Sequence, residues 1–293
     1  MEKIDTALQR RLEALGQSIR ERCERKGPKN PQTAATVRLP LWPEPARGVP
    51  NSVLRGALFA AIQSKDRQYL KGELLAVQQG IEIRFTGMQL DQSDLDVWEQ
   101  ALHLARQHPL GTCCDFTAHA FLKTLGRATG KMNHEWLKDV FRRLAGAVVE
   151  ITHYYYRMTY AGTLLEFYRD EDTDRYYLEI NPKLKALYDA GWTATDWQQR
   201  QALRRKPLAL WLHGFLASHA DPFPLKMETL HRLSGSRTKQ KYHFKANLIA
   251  ALEDLQAIGT INGYEIDDGD KVSIDRTPSA SQRKHLRRAK PRR

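Results

Sequence analysis

The hydrophobic period changes within the C-terminal part of the chain, and this change constrains the fold more than any other feature. "LKMETLHRL", from Leu225 to Leu233, has the spacing of a short helix. The turn Ser234-Gly235-Ser236 follows, and a long helical pattern runs from about Thr238 to Ile258. Phe244, Leu248, Ala251, Leu252 and Leu255 recur at the three- and four-residue intervals that line one helix face. Gly259 stops that helix. "TINGYEIDDGDKVSIDR" then predicts a hairpin with turns at Asn262-Gly263 and Asp268-Gly269. Helices are expected upstream at 195–205 and 207–220, before "DPFP". Helix, helix, turn, helix, hairpin is the winged form of helix-turn-helix.

The first half follows the same order. "SVLRGALFAAI" turns helical from Ser52, and "ELLAVQQGIEIRFTG" predicts short strands with turns at Gln79-Gly80 and Thr86-Gly87. Ser93 and Asp96 have the spacing of a capping box before "LDVWEQALHLAR", where Leu95, Trp98, Leu102 and Ala105 share a face. "TAHAFLKTLG" predicts a shorter helix ending at Gly126, and a third begins near Asn133. Its Trp136, Leu137, Val140, Phe141 and Leu144 point inward, which leaves Lys138, Arg142 and Arg143 toward solvent. "VVEITHYYYRMTYAGTLLEFYRDEDTDRYYLEINPKL" is rich in β-branched and aromatic residues. With turns at Ala161-Gly162 and "DEDTD", it predicts a hairpin or a three-stranded sheet.

The expected fold class is therefore α+β, with two tandem winged-helix (helix-turn-helix) domains at 52–190 and 191–275. Residues 1–51 form an N-terminal helix (3–25) and an extended linker with six prolines; residues 276–293 form a basic disordered tail. Net charge is +12, from 46 Lys and Arg against 34 Asp and Glu, and the eight basic residues of Arg276–Arg293 carry +8 of it. Such an excess favours a polyanionic partner, and a tail of this kind serves as an electrostatic arm. No apolar run is long enough to span a membrane, and "MEKIDTALQRRLEALGQSIRERCERKGPKN" lacks the apolar core of a signal peptide. The three cysteines Cys23, Cys113 and Cys114 are an odd, sparse set that fits a reducing compartment and argues against a disulfide framework. A cytoplasmic protein with no membrane partner is expected.

Between Leu230 and Lys245 stand Arg232, Arg237, Lys239, Lys241 and Lys245, with no acid among them. In a helix-turn-helix the second helix enters the major groove and its N-terminal residues reach base edges. Arg237, Lys239, Gln240, Lys241, Tyr242, His243 and Lys245 are therefore the DNA-binding candidates, while Glu253 and Asp254 mark the other end of the helix. The helix dipole favours acids at an N-terminus, so phosphates would supply the missing anions. A solvated helix face is the bland alternative. The first unit offers Lys131, Lys138, Arg142 and Arg143, interrupted by Glu135 and Asp139.

Enzymatic readings fare worse. Gly126 to Gly130-Lys131 is one residue short of a phosphate-binding loop, and Met132 replaces the hydroxyl residue. Tyr154, Tyr155 and Tyr156 could suggest a nicking nucleophile, but no His-x-His pair accompanies them, so alternating faces of a strand explain them better. His103, His108, Cys113, Cys114 and His119 lack the spacing of a structural zinc site. No catalytic residue, metal or cofactor is expected.

"LPLWPEPARGVPNSVLRGALFAAI", "FTGMQLDQSDLDVWEQALHLAR" and "LWLHGFLASHADPFPLKMETLHRLSGS" resemble the TrfA family of plasmid replication initiators, over roughly residues 38–275. The resemblance implies two winged-helix domains that bind origin repeats (iterons) in double-stranded DNA and help to open the origin. It also implies recruitment of the host initiator, replicative helicase and sliding clamp. Clamp binding in the family uses a glutamine-led hydrophobic motif; Gln89-Leu90-Asp91 begins similarly but lacks the Leu-Phe pair, and is not assigned that role. A monomer-dimer equilibrium is expected, the monomer covering one iteron and "VVEITHYYYRMTY" offering a strand edge to the dimer. A winged-helix transcriptional repressor is the alternative. A basic membrane-surface protein is disfavoured, since no long basic amphipathic helix stands out.

Overall fold

The structure, a computed structural model, describes residues 37–289. The helix expected at 3–25 and the last basic residues, Lys290, Arg292 and Arg293, lie outside the described residues. Helix and sheet are mixed, as an α+β fold requires. Buried apolar side chains fall into two clusters, one running from Leu39 to Trp197 and the other from Leu203 to Val272.

The proline-rich stretch is not a linker. Leu39 and Trp42 are buried, and β1 (Ala46–Pro50) pairs antiparallel with β11 (Trp192–Asp196), from Ala46 opposite Asp196 to Pro50 opposite Trp192. Trp42 stacks on Tyr188 at 6.1 Å, and its Nε1 donates to His103 Nδ1 at 3.1 Å. Proline enforces extended backbone and lacks a donor, which suits a strand with a single partner. The helix expected from Ser52 is one turn, α1 (Asn51–Leu54). Beyond it Gly56 bridges to Val77, where a Cβ would lie 2.8 Å from the Ala76 carbonyl oxygen, and the chain extends into β2 (Phe59–Ala60). Tertiary packing of the backbone here overrides helical spacing.

β3 (Tyr69–Leu75) and β4 (Ile81–Met88) form a hairpin whose turn contains Gly80. Thr86-Gly87 is no turn: both residues lie inside β4, opposite a register shift between Leu70 and Glu73. β5 (Leu90–Asp91) pairs in parallel with β2 and leads into α2 (Gln92–Ala105). The capping box is made by Asp91 and Asp94 instead of Ser93 and Asp96. Asp96 is engaged elsewhere, as the partner of Arg200. Leu95, Trp98, Leu102 and Ala105 are all buried.

β6 (Cys113–Thr117), α3 (Ala118–Thr124) and α4 (Lys131–Gly146) follow. The β-rich stretch then divides between two sheets. β7 (Val148–His153) and β8 (Met158–Thr163) complete the sheet β3-β4-β7-β8, while β9 (Glu166–Asp170) and β10 (Arg175–Glu179) join β6 in the order β6-β10-β9. The turn between β7 and β8 is Tyr154–Arg157, and Ala161-Gly162 lies within β8. Tyr154, Tyr155 and Tyr156 are therefore exposed at a hairpin tip, at 59%, 85% and 50%, instead of alternating along a strand. β7 lies between β4 and β8, so the edge strand of this hairpin is β8 and not the "VVEITH" strand.

After α5 (Lys185–Asp189) and β11, α6 (Trp197–Ala202) crosses to the second cluster. That cluster is built from α7 (Pro207–Ala217), β12 (Leu225–Lys226), α8 (Met227–Leu233), α9 (Lys241–Ala257), β13 (Gly263–Ile266) and β14 (Lys271–Asp275). The basic run, expected to lack structure, forms α10 (Ala280–Ala289). Arg276 Nη1 donates to the carbonyls of Leu216 and His219, and Gln282 Nε2 to those of Ala217 and His219, so this segment satisfies the C-terminal carbonyls of α7.

Arg200 stands between the two clusters at 1% exposure. Its Nε donates to Asp96 Oδ1 at 2.6 Å and lies 3.3 Å from Glu99. Its Nη2 donates to the Gln92 carbonyl and side chain at 3.1 Å, and its Nη1 to the Leu210 carbonyl at 3.3 Å. Burial pushes the Glu99 carboxyl up to about 7, against the pull of Arg200. We expect Arg200→Met to destabilise the fold by about 3–5 kcal/mol, because it strands buried carboxylate and amide partners. Urea unfolding checks this, and an unchanged midpoint would refute it.

His213, buried in α7, is pushed down to about 3 by burial, with Arg200 and Arg276 adding to the shift. A histidine with a depressed folded-state pKa adds stability above the ordinary 6.5 and loses it as pH falls through the window below. The urea midpoint of His213→Gln should therefore gain on that of the parent as pH drops from 6.5 toward 4. A constant gap across that range would contradict the assignment.

Candidate nucleic-acid interface

Met227, Leu230 and Leu233 bury one face of α8, and the chain then reverses at Ser234-Gly235-Ser236. Gly235 sits at φ +62, and a Cβ there would meet Ala60 Cβ at 2.9 Å and Ala57 Cβ at 3.0 Å. The Ala61 amide donates to the Ser234 carbonyl at 2.7 Å. The Gly-Ser turn is thus a seat on the 57–61 segment, whose close approach and left-handed backbone both suit glycine.

α9 starts at Lys241, three residues later than Thr238. His231 Nε2 bonds the Thr238 carbonyl at 2.9 Å, which holds the intervening residues outside the helix. Phe244, Leu248, Ala251, Leu252 and Leu255 are all buried, as their spacing requires. The N-cap Gln240 makes no side-chain capping bond, and the first turn holds no acid. α4 begins similarly, with Gly130 as N-cap, no capping bond and no acid in its first turn.

The candidate side chains divide by what they touch. Lys239, Gln240, Tyr242 and His243 are exposed, with the Tyr242 and His243 rings 4.0 Å apart. Arg237 turns back instead: its Nη2 donates to Gln68 Oε1 at 2.6 Å and Gln89 Oε1 at 2.9 Å. Lys241 Nζ lies 2.7 Å from Asp270 Oδ2, and Lys245 Nζ lies 2.9 Å from Asp270 Oδ1. Those two ammonium groups hold the Asp270 carboxyl down at about 2. Asp270 lies in the β13–β14 turn, which the sequence marked only as a turn.

On α4, Lys131 is exposed and Lys138 half-buried, and Arg142 pairs with Asp139 at 3.2 Å in solvent. Arg143 does not point to solvent. Its Nη2 reaches Asp94 Oδ1 at 2.7 Å with 17% exposure, and Arg67 closes on Asp91 and Asp94 from the other side. A carboxylate as buried as Asp94 requires cations, and one helix face supplies Arg143 while its neighbour Arg142 stays free of that demand. A groove of about 760 Å³ separates the 61–68 segment from α9; Lys65, Lys206 and Lys239 lie along it, and Lys206 is tied to Asp254 at 2.6 Å. Lys65 carried no sequence signal, since no helical or strand period includes it.

Among the described residues, no three of His, Cys, Asp and Glu gather as a metal site, and no helix is long and apolar enough to cross a membrane. Cys114 is a free thiol pushed up to about 12 by burial.

Helix and sheet are mixed, and the long helix α9 exposes its basic first turns. A family model described as "TrfA protein" matches residues 23–276. The chain belongs to the TrfA family of plasmid replication initiators. It is 26% identical over 235 residues to the plasmid replication initiator protein TrfA of Escherichia coli. The match covers 78% of this chain and 61% of that relative, so the chain spans about three-fifths of the relative's length. A crystal structure of domains 2 and 3 of RctB is similar in fold, with a TM-score of 0.52 at 13% identity over 78% of this chain and 98% of that one. A second RctB domains 2-3 structure gives a TM-score of 0.48 at 12% identity, covering 76% and 96%.

Gly235→Ala should destabilise the protein by roughly 1–3 kcal/mol, through left-handed strain and the clash with Ala57 and Ala60. A thermal melt and urea midpoint equal to the parent's would show that the turn is not seated as described.

Proposed function

We propose that this protein binds iterons in double-stranded origin DNA, through two winged-helix units, without enzymatic activity. The units are 52–190 and 191–275, a division supported by the two separate clusters of buried apolar residues, although β11 and Trp197 pack with the first. The observation that carries the reading is the exposed, uncapped and basic start of α9. Its orphan amides and dipole suit anions, Lys239, Lys241 and Lys245 suit phosphates, and Gln240, Tyr242 and His243 suit base edges. α4, with Lys131, Lys138 and Arg142, plays the same part in the first unit, while Arg237 and Arg143 brace the fold behind the two helices. The basic run, here α10, adds sequence-independent attraction through Arg283, Lys284 and Arg287.

Family membership supports a part in origin opening, in recruitment of the host initiator, replicative helicase and sliding clamp, and a cytoplasmic site of action. Gln89-Leu90-Asp91 does not support clamp docking, since Leu90 is fully buried and Gln89 accepts from Arg237. With two reading units in one chain, the monomer covers one repeat and the dimer is a storage form. Maintenance of an origin plasmid with this gene as the only plasmid-encoded factor tests the initiator reading. A transcriptional repressor would bind the DNA and fail to support replication.

Lys241→Ala and Lys245→Ala should each weaken binding to an iteron duplex and lower the salt slope by about one. Unchanged affinity in both variants, with the fold intact, would remove α9 from the interface.

A further inference from the structure

The acid that the first turn of α9 lacks comes from across the fold. Asp270 holds Lys241 at 2.7 Å and Lys245 at 2.9 Å, one ammonium group on each carboxylate oxygen. Its backbone is fixed at φ +58. Its amide donates to the Asp267 carbonyl at 3.0 Å, and its carbonyl accepts from the Met227 amide at 2.8 Å. The Asp267 side chain braces the same turn, accepting from the Gly269 amide at 2.9 Å and the Lys271 amide at 2.8 Å. The carboxylate is therefore placed by the turn and not by a flexible arm. It borders a recess of about 430 Å³ between α8, the start of α9 and the turn, lined also by Lys226, His231 and Lys239.

We propose that Asp270 is an internal stand-in for a DNA phosphate, and that it sets how sharply this surface discriminates origin repeats from other duplex DNA. This rests on the reading of α9 as a DNA-contacting helix. Sequence-independent binding comes from lysine-phosphate contacts and the counterions they release. Two lysines half-neutralised by one fixed carboxylate have less to gain from a phosphate. An incoming phosphate must also displace that carboxylate or tolerate its repulsion. Contacts from Gln240, Tyr242 and His243 to base edges carry no such penalty. Asp270 thus lowers the term common to all sequences and spares the term that reads them, which is specificity by disfavouring the wrong partner.

The test uses the full chain and Asp270→Asn, which removes the charge while tolerating a left-handed backbone. Asp270→Gly, free of strain at that φ, is the second variant should the first fold poorly. Affinity for a non-specific duplex and for an origin-repeat duplex is measured over a salt series. We expect non-specific affinity to rise about three- to tenfold at low salt, its log-log salt slope to steepen by about one, and the repeat preference to fall. Adding Lys241→Ala and Lys245→Ala to Asp270→Asn should abolish the gain. The proposal is overturned if Asp270→Asn and Asp270→Gly leave non-specific affinity and slope at parental values while the lysine variants still weaken binding. It is equally overturned if the gain persists without both lysines. Lysine variants that bind every duplex as the parent does would sink the α9 reading itself, and this inference with it.

Discussion

Two apolar clusters in one chain can pack in many relative orientations, because hydrophobic contact is not directional. The guanidinium of Arg200 removes that freedom. It lies between Trp197, in one cluster, and Leu203, in the other, and it is almost wholly buried. A buried guanidinium must satisfy donors arranged in a rigid fork. Asp96 and Gln92 on α2 take two arms, the Leu210 carbonyl on α7 takes a third, and Glu99 adds its charge. Segments about a hundred residues apart are thereby fixed at hydrogen-bond precision. Arg47 reinforces the same helix: its Nε and Nη2 grip Gln100 Oε1, and its guanidinium lies 4.4 Å over the Trp197 ring.

Around that fork, the 54–61 segment becomes a platform. Gly214 on α7 admits Leu54, since a Cβ there would lie 2.8 Å from Leu54 Cδ2. Trp211 Nε1 donates to the Gly56 carbonyl at 3.0 Å, and Arg55 Nε reaches Ser218 Oγ at 3.1 Å. Gly235 seats the α8–α9 turn on Ala57 and Ala60. The face of α9 left to solvent is what this seating leaves over. Arg237 is used as a strut to Gln68 and Gln89, and the exposed charge leading into α9 resumes at Lys239.

Periodicity made α9 legible, because all five residues of its apolar stripe contact a single core. The same held for the buried face of α2 and for the turn that ends β13. What stayed hidden depended on partners distant in sequence. Pairing of Ala46 with Asp196 leaves no local trace, so a proline-rich stretch looked like a linker. Arg142 and Arg143 both fall outside the buried residues of α4, and only the buried Asp94 separates a solvent cation from a structural one. The cap of α2 lies two residues earlier, at Asp91, and Asp96 pairs with the distant Arg200. The tyrosine run has strand composition, yet it lies at a tip because β7 ends where its pairing with β4 ends, at His153 opposite Ile81.

The three longest helices among the described residues then separate by what their N-termini face. α2 has 14 residues, is buried along most of its length, and is closed by a reciprocal box between Asp91 and Asp94. α9 with 17 residues and α4 with 16 each begin at a lysine, after a residue that makes no capping bond. A buried helix start needs its amides satisfied within the fold, whereas an exposed one can leave them to water. Water explains tolerance of the open ends but not the lysines beside them, which add positive charge to the positive end of a dipole. On α9 the protein offsets that charge at the side chains through Asp270, and no side chain caps the amides. A helix start with no side-chain cap, whose two lysines share one carboxylate, keeps a net positive charge at its solvent-facing end.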